Sequence, residues 1–181
     1  MVSMWNIDPN EHNAKCGCYL SHTRLYQYIV TNKINDVLIL EDDAYLINDI
    51  PDTKDLPQDG FTYLGGLSYN KKLTDGPLKV EFENGINKID HKKYRMLMTV
   101  AIYIPHHRYA QKMLDSCTKR GRPRAIDTML VHSHCSQYVS YPASFLERPD
   151  PSQIRKSKTK FGNSHYDRVT GKNIIEEMEN K

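Results

Sequence analysis

Three adjacent carboxylates, Glu41, Asp42 and Asp43, directly follow the apolar run at 37–40. Like charges this close repel one another. A hard divalent cation would relieve the repulsion, because carboxylate oxygens are ligands that Mg²⁺ and Mn²⁺ prefer. Magnesium-type sites use one or two protein carboxylates and leave positions for substrate phosphates. The trio therefore indicates a site for a cation and a diphosphate, and the alternative interpretation is a solvated acidic turn.

The apolar run before the carboxylates predicts a short strand. The strand is predicted over Asp36 to Leu40, and its nearly continuous apolar character is typical of a strand covered on both faces. Side chains alternate along a strand, so Glu41 and Asp43 should share a side while Asp42 faces the other way. The carboxyl end of a strand is also where open α/β sheets place ligands.

Helical and strand patterns alternate along the rest of the chain. The spacing of apolar residues predicts helices over 11–31, 106–119 and 125–135. Strand patterns occur at 61–66, ending in a glycine pair, at 94–105 and at 138–142. The segments 51–60 and 67–92 should be irregular, apart from a short hairpin around 78–82. This order predicts an α/β or α+β layered sheet.

The first predicted helix should turn one face toward the sheet. Residues at the 3, 4, 7 spacing would form this face: Cys18, Ser21, His22, Leu25, Tyr28 and Ile29. A histidine on a core-facing surface is more often a hydrogen-bonded structural residue than a ligand.

Length and composition limit the class of protein. The 181 residues fit one domain with a real core, and 39% hydrophobic with 26% charged residues is typical of a globular protein. Without an 18-residue apolar stretch or a signal-peptide core, we expect no transmembrane segment and a cytoplasmic location. The net charge of +3 is too small to indicate a nucleic-acid partner.

The cysteines do not indicate a structural metal site. Four cysteines are too few for a disulfide scaffold. Cys16 and Cys18 are closer in sequence than the usual zinc-binding pair, and no matching pair follows. His132, His134 and Cys135 form only a loose cluster.

The composition changes near the C-terminus. We expect a core domain over residues 1–154 and a basic tail over 155–181. A solvated terminal segment is one interpretation of this tail, and a basic lid that folds over a diphosphate is the other.

The segments around the acidic trio resemble glycosyltransferase family 25, the lipooligosaccharide and procollagen sugar transferases. The family's Gly-Cys-x-Leu-Ser-His helix is matched by residues 17–22, and its Glu-Asp-Asp by residues 41–43. Later segments follow in the family's order: FTYLGG, AIYIPHHRYAQKML, RAIDTML and YPASFLERPDPSQI. The resemblance covers residues 10–154.

The resemblance implies a GT-A-like α/β fold with a central mixed sheet flanked by helices. It also implies a metal-dependent, inverting hexosyltransferase of the kind used in lipopolysaccharide biosynthesis. The donor would be a nucleotide sugar, UDP-galactose or UDP-glucose, and the acceptor a hydroxyl of a glycan, glycolipid or glycoprotein. By analogy, Asp43 would bind Mn²⁺ or Mg²⁺, with Glu41 near the ribose or the metal. Asp127 would be the catalytic base, and its alternative role is a helix cap or dipole partner.

Further residues of the site are implied as well. Ser21 and His22 would contact the donor from the first helix. Gly65 and Gly66 would allow close approach of the donor, and the alternative interpretation is that they only end a strand. His165 in the basic tail would complete the metal site.

One departure from the family pattern bears on activity. Family members begin with an apolar strand, an arginine-bearing loop, a helix and a second strand, and these do not precede residue 17 here. We therefore expect part of the usual N-terminal nucleotide-binding region to be lacking. The alternative function is a catalytically inactive binding module with a glycosyltransferase fold. An aspartate-nucleophile phosphatase is disfavoured because Glu41 occupies the first position of the motif.

Overall fold

A computed structural model of the protein describes residues 9–70, 82–91, 94–119 and 125–147, with two short strands in the C-terminal segment. The elements in chain order are α1 (Pro9–Thr31), β1 (Val37–Leu40), β2 (Ala44–Leu46), a 3-10 helix (Thr53–Asp55), β3 (Gly60–Asn70), β4 (Gly85–Lys88), β5 (Tyr94–Ile104), α2 (His107–Thr118), α3 (Ile126–Val131), β6 (Ser136–Tyr141), β7 (Phe145–Glu147), β8 (Tyr166–Asp167) and β9 (Lys172–Asn173).

The main sheet is mixed, with the strand order β1-β5-β3-β6-β4. Strand β5 runs antiparallel to both β1 and β3, β3 runs parallel to β6, and β6 runs antiparallel to β4. Strand β7 pairs with both β2 and β3. Together with the flanking helices, this sheet confirms the predicted α/β class and is compatible with a glycosyltransferase-like fold.

Apolar side chains are buried on both faces of the sheet. On one face, Ile102 and Ile104 of β5 belong to a cluster that includes residues of all three helices. On the other face, Ala101 and Tyr103 pack with Phe145 of β7. Full burial of one large apolar side chain stabilises a fold by about 1.5–3 kcal/mol, so this alternation along β5 fixes the strand between two layers.

The longer predicted elements are confirmed. The 11–31 pattern corresponds to α1, the 94–105 pattern to β5 and the 106–119 pattern to α2. The predicted helix at 125–135 is shorter, because α3 ends at Val131 and the chain then turns through His134 at a φ of 56°. Strand β6 begins two residues before the predicted 138–142 strand.

The prediction that β1 is covered on both faces was wrong. Ile39 is buried, but Leu38 is 37% exposed and Leu40 is 48% exposed. Among the described strands β1 pairs with β5 alone, so it lies at an edge of the sheet. An apolar run shows that its side chains favour burial. It does not show whether neighbouring structure covers them.

The predicted face of α1 was partly wrong. His22 and Ile29 are buried as expected, whereas Ser21, Leu25 and Tyr28 are exposed. The sheet-facing positions instead follow the spacing 18, 22, 26 and 29, and Tyr26 is completely buried.

The prediction that the second strand ends at its glycine pair was wrong, because β3 continues to Asn70. Residues 85–88 form β4 instead of irregular chain, and the short strands β2 and β7 were also not predicted. The predicted hairpin around 78–82 lies almost entirely outside the described residues.

Within the part of the chain that the structure describes, no helix is both long enough and apolar enough to span a membrane. Of the basic tail, the structure describes the antiparallel strands β8 and β9. His165, the predicted late metal ligand, lies outside the described residues.

Candidate active site

The acidic trio forms a tight turn at the end of β1. The amide of Glu41 donates to the carbonyl of Val100 at 2.9 Å, which extends the pairing of β1 with β5 by one residue. The amide of Ala44 then donates to the carbonyl of Glu41 at 3.1 Å, which closes the turn. Within the turn Asp42 is exposed, while Asp43 is half-buried.

Helix α1 places His22 beside this turn. His22 is 7% exposed, and its Nδ1 lies 3.1 Å from the hydroxyl of Tyr26, one helical turn further on. Its Nε2 lies 3.6 Å from Oε1 of Glu41. The prediction of a buried, hydrogen-bonded histidine is confirmed, and the ring also connects the helix to the acidic turn.

Cys18 precedes His22 by one turn of the same helix, so both side chains lie on one face. The ligand atoms of Cys18, His22 and Glu41 all lie within 4.8 Å of one another. We call these three residues the Cys18 cluster. The cluster combines a sulfur, a nitrogen and an oxygen donor contributed by two different elements.

Asp127 approaches the same region from α3. It lies in the first turn of that helix, but its Oδ1 accepts a hydrogen bond from the amide of Thr99 on β5 at 3.0 Å. Burial raises the pKa of Asp127 from 3.8 to about 7. The charge of Glu41 adds to this rise, whereas hydrogen bonding to Thr99 and the charge of His22 oppose it.

Four carboxylates act on the Cys18 thiol. Burial raises the pKa of the Cys18 thiol to about 12, and the charges of four carboxylates add to that rise, in the order Glu41, Asp127, Asp42 and Asp43. The four carboxylates therefore all lie near the Cys18 thiol, between α1 and the end of β1. A region with this much negative charge favours the binding of a cation.

Buried hydrogen bonds fix the position of α3, and with it the position of Asp127. The side-chain amide of Gln137 on β6 donates to the carbonyl of Leu130 at 2.7 Å. Gln137 also accepts from the hydroxyl of Tyr63 on β3 at 3.1 Å. From α2, the hydroxyl of Ser116 donates to the carbonyl of Met129 at 2.8 Å. These bonds join the helix to two strands and to α2.

The absence of a side chain at Gly65 has a structural reason. A Cβ atom on Gly65 would lie 2.4 Å from the carbonyl oxygen of Phe145, so the close neighbour of this glycine is strand β7. Gly66 pairs with Thr99, the residue whose amide binds Asp127. A donor-contacting role for either glycine stays a prediction.

The structure thus brings together Glu41, His22 and Asp127 of the predicted site, with Asp42 and Asp43 in the adjoining turn. It does not bring in Ser21, whose side chain is exposed. The sequence interpretation considered Cys18 together with Cys16 and did not pair it with His22 as a possible metal ligand. Its four-residue spacing from His22 was the available signal, because this spacing places two ligands on one helix face.

Among the residues that the structure describes, two sets of side chains could hold a metal ion. Glu41, Asp42 and Asp43 offer carboxylate oxygens, which suit a hard cation such as Mn²⁺ or Mg²⁺. The Cys18 cluster offers mixed donors, which suit a softer cation. Glu41 belongs to both sets.

Comparison with known proteins identifies the family. The family model "Glycosyltransferase family 25 (LPS biosynthesis protein)" matches residues 12–130, well over half of the chain. The matched range contains the Cys18 cluster, the acidic turn and Asp127. No curated protein and no solved structure gives a significant match. On the strength of the family match, the chain belongs to glycosyltransferase family 25.

Proposed function

We propose that this protein is a metal-dependent, inverting glycosyltransferase that moves a hexose from a nucleotide sugar to an acceptor hydroxyl. Family membership supports a glycosyltransferase role, with a nucleotide-sugar donor and a glycan acceptor. The observation that carries the finer proposal is the convergence of the acidic turn at 41–43 with Asp127. The turn after β1 then offers oxygen ligands, and α3 offers a carboxylate suited to proton transfer.

The acidic turn is the proposed cation site. Asp43 is the leading ligand because it is half-buried within the turn, with Glu41 beside it. Both supply the hard oxygen donors that Mn²⁺ and Mg²⁺ prefer. When bound, such a cation neutralises the negative charge that develops on a departing nucleotide diphosphate. His165 stays a predicted additional ligand.

Asp127 is the proposed general base. Its pKa of about 7 lies near the operating range of a base at neutral pH, and the hydrogen bond from Thr99 holds its carboxylate in place. In a single displacement, Asp127 takes the acceptor's hydroxyl proton as the acceptor oxygen bonds to the anomeric carbon. The bond from that carbon to the diphosphate breaks, and the nucleoside diphosphate leaves.

The proposed donor is UDP-galactose or UDP-glucose. The proposed acceptor is a hydroxyl of a glycan, glycolipid or glycoprotein, consistent with a family described by lipopolysaccharide biosynthesis. The cytoplasmic location stays a prediction from the sequence.

Release of UDP tests this proposal. The protein is incubated with each UDP-hexose and Mn²⁺, and free UDP is measured over time beside a sample treated with chelator. We expect release that requires the cation. UDP binding without release would favour the inactive binding module, and absence of both would overturn the transferase proposal.

A further inference from the structure

We propose that the Cys18 cluster is a binding site for a thiophilic divalent cation of the zinc class, different in ligand chemistry from the Mn²⁺ or Mg²⁺ site at the acidic turn. The existence of this site does not depend on the proposed function. It rests on the positions of three side chains and on one buried hydrogen bond.

The distances within the cluster fit a shared ion. The ligand atoms of Cys18, His22 and Glu41 lie within 4.8 Å of one another. The separation of His22 Nε2 from Glu41 Oε1 is 3.6 Å. A tetrahedral zinc ion with bonds of about 2.0–2.1 Å to nitrogen and oxygen holds those two atoms roughly 3.4 Å apart. His22 and Glu41 therefore need little movement to share an ion. Sγ of Cys18 would lie roughly 3.6 Å from each of them in such a site, so a cysteine rotamer change of up to about 1 Å completes it.

The hydrogen bond behind His22 fits the same role. Zinc-bound histidines commonly use their second ring nitrogen in a hydrogen bond that fixes the tautomer and the ring orientation. Here Nδ1 of His22 lies 3.1 Å from the hydroxyl of the fully buried Tyr26. In the tautomer in which Nδ1 donates to the Tyr26 hydroxyl, Nε2 presents its lone pair on the side of Glu41, where the ion would bind.

The donor set favours zinc over manganese or magnesium. Thiolate and imidazole ligands select softer cations, whereas Mn²⁺ and Mg²⁺ prefer carboxylate, carbonyl and water oxygens. Three protein ligands leave a fourth zinc position for water or substrate. The Glu41 side chain is 29% exposed, and Cys18 is only partly buried, so the site has a path from solvent.

Glu41 links the cluster to the acidic turn. An ion held by Cys18, His22 and Glu41 would withdraw the Glu41 carboxylate from a cation at Asp43. A zinc-class ion would therefore weaken binding of Mn²⁺ with UDP. This consequence, unlike the site itself, rests on the proposed function.

Cobalt(II) is a suitable probe, because it occupies zinc sites and its bond to a thiolate gives a near-ultraviolet charge-transfer absorption. The purified full chain, first stripped with chelator, is titrated with Co²⁺ and followed by absorption. We expect saturation at one equivalent and loss of the band when Zn²⁺ is added in equal amount. Excess Mg²⁺ should not displace it.

Single substitutions then identify the ligands. Cys18→Ser should abolish the charge-transfer band, while Cys16→Ser, two residues away on the same helix, should retain it. Glu41→Gln should weaken Co²⁺ binding at least about tenfold, since even the loss of a residue that only hydrogen-bonds to a metal ligand costs about 10–100-fold. Circular dichroism of each variant establishes that α1 is still folded.

Three results would overturn the proposal: no band in the wild type, a band that survives Cys18→Ser, or unchanged Co²⁺ affinity in Glu41→Gln. None of these measurements uses a sugar donor. A failure of the metal site is therefore distinguishable from a failure of the transferase proposal, which is read from UDP release alone.

Discussion

Nε2 of His22 lies 3.6 Å from Oε1 of Glu41, although one residue belongs to α1 and the other follows β1. The contact joins two motifs that are separate in the sequence, the Gly-Cys-x-Leu-Ser-His helix and the Glu-Asp-Asp turn. The edge strand β1 carries Glu41 to this position, and Tyr26 fixes the histidine from behind. The two motifs therefore lie side by side in the candidate site.

Asp43→Asn tests the proposed cation site. Removing one carboxylate charge from the half-buried position should weaken Mn²⁺-dependent UDP binding at least about tenfold. Loss of a residue that only hydrogen-bonds to a metal ligand already costs about 10–100-fold. Calorimetric titration of UDP with and without Mn²⁺ measures the effect. Asp42→Asn is the matched control, because Asp42 is exposed in the same turn and should cause a smaller loss. Equal losses would contradict the assignment of Asp43.

The raised pKa of Asp127 predicts a pH-dependent stability. Between pH 3.8 and about 7, the folded protein keeps a proton on Asp127 that the unfolded chain has lost. The free energy of unfolding should therefore fall as pH rises through this window and level off above it. Asp127→Asn cannot ionise, so its stability relative to wild type should increase across the window. Across this window the stability difference between Asp127→Asn and wild type should change by at most about a few kcal/mol, because Asp127 is partly exposed.

Urea unfolding of chelator-treated protein at several pH values measures this difference. Asp49→Asn makes the same chemical change at an exposed aspartate and is the matched control. A stability difference between Asp127→Asn and wild type that stays constant with pH would contradict the prediction.

Two glycines should respond in opposite directions to substitution by alanine. At Gly65 the new Cβ would meet the carbonyl oxygen of Phe145 at 2.4 Å, so β7 must move, and we expect a loss of about 1–3 kcal/mol or more. At Gly17, on α1, the Cβ meets nothing within 4 Å, and alanine should stabilise the helix by about 0.5–1 kcal/mol. Denaturant unfolding measures both variants. A neutral Gly65→Ala would show that β7 does not pack against β3 as described.

The buried amide of Gln137 should be important for stability. Gln137→Leu removes a donor to Leu130 and an acceptor from Tyr63, and each buried group left unsatisfied costs about 1–3 kcal/mol. Tyr63→Phe removes only one of the two bonds and should cost less. The double variant should be less destabilised than the sum, because the two residues share a bond.

Denaturant unfolding of the three variants provides the comparison. The exposed Gln27 on α1 is the control, and Gln27→Leu should change stability by less than about 0.5 kcal/mol. Strict additivity of Tyr63→Phe and Gln137→Leu would show that the two side chains do not interact.

The long elements could be predicted because their patterns repeat. Helix α1 and strand β5 each extend over many residues, so helical spacing or β-forming composition had room to appear. Strands β2, β4 and β7 have three or four residues each, and their partners define them. Ala44 pairs with Glu147, for example, and no local pattern near residue 44 could indicate a partner so distant in sequence.

The site was predictable in part. The acidic trio was visible from its charge alone, but its proximity to Asp127 came from the family resemblance, because nothing near Asp127 in sequence points to Glu41. Cys18 was overlooked because it was considered with Cys16 as a pair, whereas the helix pairs it with His22. The exposure of Leu38 and Leu40 depends on what lies beside β1, and the apolar run carries no such information.

The most direct test of the proposed function compares wild type with Asp127→Asn in the presence of Mn²⁺. Release of UDP from UDP-galactose and UDP-glucose is measured at neutral pH, and UDP affinity is measured on the same samples. A general base contributes about 10²–10⁴-fold, so the variant should release UDP at least about 100-fold more slowly while it binds UDP as tightly as wild type. No release by the wild type, or release by Asp127→Asn at the wild-type rate, would contradict the account.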